Sequence, residues 1–203
     1  MRTGTKLLGL AVLAVTAWSC GNALSGRGPM FLSIDSLQGA SGDTPTAFTS
    51  PVISDIQRDV TNGGSCTVTN PCPTFFNDVG QAVMHLVPKD ITNPTGPTSN
   101  NDVTITRYHV TYRRADGHNT PGVDVPFGFD GAVTVTIAGT GSTTVGFELV
   151  RNVAKEESPL IQLLTNNQII TMFADVTFYG TDRAGHDISA TGTIQIDFGS
   201  FRG

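Results

Sequence analysis

The sequence predicts an all-β protein, an antiparallel β-sandwich of about seven strands behind an extended N-terminal segment. Gly and Pro together hold 34 of the 203 positions and only 14% of residues are charged. That is the composition of many strands joined by many turns, with hydroxyl-rich outer faces. From residue 102 onward, apolar side chains recur at every second position, the period of a half-buried strand. Turn-forming Gly, Asn, Asp and Pro clusters separate these runs.

The chain starts with a basic stretch, Arg2 and Lys6, followed by an apolar run over residues 7–17 broken by Gly9 and Thr16. Ala17 and Ser19 then flank Trp18 with small residues, the layout of a secretory signal over residues 1–19. From Lys6 to Cys20 is about 15 residues, short of the roughly 20 that a membrane span needs. The segment Ala17-Trp18-Ser19-Cys20 resembles a bacterial lipoprotein signal, with Ser19 as the small residue before the cysteine and Trp18 departing from the usual small or aliphatic residue. That resemblance implies cleavage before Cys20, lipidation of Cys20 and attachment to a membrane of the cell envelope. Cleavage after Ser19 without lipid, giving a secreted protein, is the alternative.

Three cysteines leave an odd one in an exported chain. Cys66 and Cys72 flank the short stretch TVTNP, and an oxidising compartment makes them disulfide partners. Lipid on Cys20 then accounts for the third. A zinc site built on Cys66 and Cys72 lacks the further His or Cys that four-coordinate zinc wants.

Residues 20–50 read as a tether, a short apolar strand and a linker, with residues 51–203 as the sandwich domain. In residues 30–37, Met30, Leu32 and Ile34 share one side at period two. This is either the first strand of the sandwich or a strand that pairs with a neighbouring molecule. Residues 52–60 and 80–87 are strand candidates around a turn-rich excursion at 61–73, and Pro94 and Pro97 make residues 89–101 a loop. In the next strand Tyr108, Val110 and Tyr112 share a face, but Ile105 is out of phase, which predicts a bulge near Thr106. Residues 132–138 and 143–155 alternate around Gly139-Thr140-Gly141-Ser142 and read as a hairpin. A helical turn is expected at 159–164. A long antiparallel pair follows, with Ile170, Met172, Ala174, Val176 and Phe178 facing the same way as Ile188, Ala190, Gly192, Ile194, Ile196 and Phe198.

By strand number, spacing and the closing segment YGTDRAGHDISATGTIQI, residues 102–198 resemble the immunoglobulin-like and fibronectin-type sandwiches of exported bacterial proteins. The antibody-type Cys…Trp…Cys pattern is absent, because the single tryptophan is Trp18. A sandwich by itself names no function.

The residues exclude more chemistry than they suggest. The formal net charge is −5, and setting aside Arg2 and Lys6 leaves 10 basic against 17 acidic residues. Such a chain gains nothing from counterion release, so nucleic acid is not an expected partner. His85, His109, His118 and His186 form no metal-binding pair, and no Gly-x-Ser-x-Gly elbow occurs. Gly139-x-Gly141 precedes a strand, not the helix a phosphate cradle needs. Asp116, Asp124 and Asp130 lie among glycines and are the residues to test for calcium, although Asp-Gly pairs are first of all turn formers. The same loop brings Phe127 and Phe129 near Arg113 and Arg114 in sequence, a combination that stacks on sugars or grips a partner. The expectation is a non-enzymatic, lipid-anchored envelope protein, without a cofactor, that binds or scaffolds other envelope components, with envelope proteins or further copies of itself as partners. One alternative is a subunit of a surface polymer or adhesive assembly that exchanges residues 30–37. Another is an extracytoplasmic carbohydrate-binding module or hydrolase.

Overall fold

A computed structural model describes residues 28–92 and 97–201. The signal segment and Cys20 lie outside the described residues. The strands are β1 (Met30–Ala40), β2 (Val52–Asp55), β3 (Arg58–Val60), β4 (Cys72–Thr74), β5 (Asp78–Pro88), β6 (Val103–Arg113), β7 (Phe129–Ile137), β8 (Ser142–Val150), β9 (Ile170–Asp182) and β10 (Asp187–Gly199). Among the described residues, helix is confined to short turns at Ser99–Asn101, Asn152–Lys155 and Leu160–Leu164. The protein is therefore all-β.

A small sheet has the order β1-β5-β8 and a large one the order β2-β10-β9-β6-β7, with β3 and β4 as a separate ribbon. The pairs are antiparallel except β2 with β10. Ten strands occur among the described residues where about seven were expected, and the sheets curl as a half-barrel. Residues 30–37 belong to β1, which pairs with β5 from Met30↔Pro88 to Ala40↔Val79.

The expected bulge is present. The register of β6 slips between Ile105 and Arg107 against both neighbours, so Ile105 and Tyr108 both turn inward. The long pair β9–β10 also forms in the expected phase. The expected hairpin does not form: β7 pairs with β6, whereas β8 pairs with β5. Residues 138–141 pass from the large sheet to the small one. Val135 and Ile137 therefore meet Val145 and Phe147 within one core cluster and not as cross-strand neighbours. Alternation fixes which face is apolar, but it does not say which strand lies alongside. The strand expected to run to residue 155 stops at Val150, where the Asn152–Lys155 turn begins. Asn77 Oδ1 accepts the Asn152 N–H at 2.6 Å and holds that turn onto the start of β5.

The core is aromatic at its centre. The Phe147 ring stands edge-on to Tyr108 and Phe178, with centroids 5.4 and 5.3 Å away. Two tyrosines of β6 reach across to β8, an edge of the small sheet. Tyr108 Oη accepts from Glu148 N at 3.0 Å, and Tyr112 Oη donates to Leu149 O at 2.7 Å.

The topology gives the molecule two unlike ends. Gly28, the tight links 138–141 and 183–186, and residues 89–92 and 97–102 lie at one end, the turn end. Four long connections lie at the other, the loop end: residues 41–51, 56–77, 114–128 and 151–169.

Candidate binding end

The loop end carries most of the exposed apolar side chains. Of nine large hydrophobics exposed among the described residues, Ile53, Val68, Val123, Phe127, Val153, Ile169 and Phe201 belong to this end, leaving Phe31 and Ile91 elsewhere. A hollow of about 360 Å³ opens here, lined by Ser41, Thr44, Thr49, Ile53 and Phe201 among others.

Loop 114–128 is firmly built. Val125 is buried in the core. Thr120 O accepts from the N–H groups of Val123, Asp124 and Val125, and Gly122 N donates to Val125 O at 2.7 Å. Gly122 has φ +75°, a conformation that favours glycine, and a Cβ there would run into the Phe127 ring. Phe127 thus lies against the Gly122 backbone and is still 60% exposed. Asn119 Oδ1 accepts from Arg114 N, and Arg114 folds back on Asp116.

The four residues read as one ligand-facing group do not converge. Arg113 ends β6 and lies on the outer face of the large sheet. Its Nε is 2.8 Å from Asp175 Oδ2, and its guanidinium is 4.9 Å from the centre of the Phe173 ring. Phe129 starts β7 and packs against the core, edge-on to Tyr108 and under Arg151, whose guanidinium is 4.0 Å from the ring centre. Arg114 and Phe127 remain on the loop. A second arginine–aromatic pair, Arg107 over Tyr179 at 4.0 Å, sits farther along the same outer face beside the β6 bulge. Sequence reading missed both outer-face pairs, because their aromatic partners lie on β9.

The three aspartates proposed for calcium are engaged separately. Asp116 accepts from Arg114 and from the His118 N–H, Asp124 from the Thr120 N–H, and Asp130 lies beside Arg107 and His109. Hydrogen bonds from Arg114 hold the Asp116 carboxyl below its usual range, and those from Thr120 do the same for Asp124. Among the described residues no group of three or more His, Cys, Asp or Glu is placed to hold a metal ion. His186 Nδ1 lies 2.8 Å from Asp182 Oδ2 in the turn between β9 and β10, at the turn end. Cys66 and Cys72 form a disulfide with a Cα–Cα distance of 5.3 Å, stapling the 61–73 excursion at the loop end.

In comparisons with known proteins, no family model, curated protein or solved structure matches this chain.

Proposed function

We propose that this protein is an exported, lipid-anchored envelope module that binds a partner through its loop end and carries out no catalysis. The carrying observation is the gathering of exposed apolar side chains at one end of the fold, on three of its four long connections and on Ile53 and Phe201 beside them. Exposed apolar groups grouped in this way are characteristic of docking surfaces. The lipobox-like Ala17-Trp18-Ser19-Cys20 and the disulfide both fit an oxidising, extracytoplasmic setting. Reading the curled sheets as an immunoglobulin-like module belongs to this same proposal.

Two variants test it. Cys20→Ser is expected to shift the protein from the membrane to the soluble fraction, and full membrane retention would overturn the anchor. Val123→Ser combined with Phe127→Ser touches only exposed loop positions. It is expected to leave the fold intact by circular dichroism while removing the proteins that co-purify through a C-terminal tag from its own envelope. An unchanged set of partners would overturn the binding end.

A further inference from the structure

The most deeply buried charged groups among the described residues take no part in the binding end. Lys155 and Asp78 are both fully buried, at 0% exposure, and Lys155 Nζ lies 2.7 Å from Asp78 Oδ1. Their positions are over-determined. Asp55 O accepts from Nζ at 2.8 Å, Gly42 N donates to Asp78 Oδ1 at 2.9 Å, and Ser54 Oγ donates to Asp78 Oδ2 at 2.5 Å. The pair is thus aimed by adjacent residues of β2, Ser54 and Asp55, and by Gly42 just after β1.

A buried ion pair recovers its desolvation cost only in part. The form that can react is the neutral one, an amine beside a carboxylic acid, reached by moving one proton across the pair. Burial pushes the Asp78 carboxyl above its ordinary value, against the opposing pull of Lys155, Ser54 and Gly42. The neutral pair is a primary amine held against a carboxyl group and shielded from bulk water. Intramolecular reactions in such fixed geometry proceed with effective molarities of about 10⁵ M or more.

We propose that Lys155 and Asp78 condense into an intramolecular isopeptide bond. The Nζ lone pair attacks Asp78 Cγ and a C–N bond forms. One C–O bond breaks, and its oxygen leaves as water, carrying the acid's own proton and one proton from Nζ. No atom changes oxidation state and no co-reactant is needed. The Ser54 hydroxyl, bonded to Asp78 Oδ2, is placed to relay the proton, and the Asp55 carbonyl aims the amine. The bond would tie residues 77 positions apart, whereas the disulfide spans a separation of only 6. It would pin the turn after β8 to the first residue of β5, beneath the loops of the binding end.

Peptide mapping of the unmutated protein decides the matter. The purified chain is denatured, reduced, digested with trypsin and read by tandem mass spectrometry. The expected product is a branched peptide joining the segment around Asp78 to the segment around Lys155, lighter by one water than the two together, with no cleavage after Lys155. Recovery of a linear peptide ending at Lys155, with the Asp78 segment unmodified, overturns the proposal. Lys155→Arg is expected to abolish the branched species. Its persistence in that variant would place the link elsewhere and equally overturn the assignment.

Discussion

Single side chains set much of this fold, and several of them are invisible to pattern reading. Tyr112 is the clearest case. Its alternation with Tyr108 and Val110 marks it as inward-facing, but nothing in the sequence says that its hydroxyl donates to Leu149 O on an edge strand of the opposite sheet. Burial drives the phenol far above its ordinary range, so it stays a donor at any working pH. Tyr112→Phe would leave Leu149 O without this donor, and we expect a loss of about 1–3 kcal/mol in urea unfolding. Lys155 was equally hidden. A lysine is normally read as solvated, and its partner Asp78 lies on a distant strand. Asp182 gives a pH prediction. Burial raises its carboxyl, but hydrogen bonds from His186 and Ala184 outweigh that and hold it below the ordinary 3.8. A carboxyl whose folded value is depressed contributes stability above its unfolded value and loses it as pH falls through the folded one. The stability gap between the wild type and Asp182→Asn is therefore expected to be full near neutrality and to shrink in acid. A gap that stays constant in urea titrations below pH 3.8 would contradict this.

At the scale of elements, the sequence reports faces well and neighbours badly. The long pair β9–β10 was legible because five or six alternating positions on each side are joined by a Gly-containing turn. The β6 bulge was legible because Ile105 broke the phase. Strands β7 and β8 alternate just as cleanly around a Gly-x-Gly turn, yet they enter different sheets, because each has a longer antiparallel partner in β6 and β5. Close packing within the large sheet also depends on a residue whose role alternation cannot show. A Cβ built on Gly131 of β7 would collide with the Tyr108 ring. Gly131→Ala is expected to destabilise the protein by about 1–3 kcal/mol, the usual cost of overpacking, as read from the midpoint of thermal or urea unfolding. An unchanged midpoint would mean that the tyrosine can move aside without loss.

For the whole molecule, the all-β class was legible in composition and period, whereas the candidate site was legible only in part. Loop 114–128 announced itself by its length, its glycines and Phe127. That residues 41–51, 56–77 and 151–169 meet it at the same end follows from the sheet order, which no local pattern encodes. The same order splits Arg113 and Phe129 away from the loop, onto opposite faces of the large sheet.

The two ends of the fold also set how the molecule would stand. Gly28 packs against Asp182 and His186 at the turn end. A lipid on Cys20 is separated from that point by eight residue steps, a reach of at most about 29 Å in a fully extended chain. On the proposed anchoring, the 183–186 turn faces the bilayer at short range, like the foot of a post. Phe127 and its neighbours then point away from the lipid surface and toward whatever occupies the space beyond it.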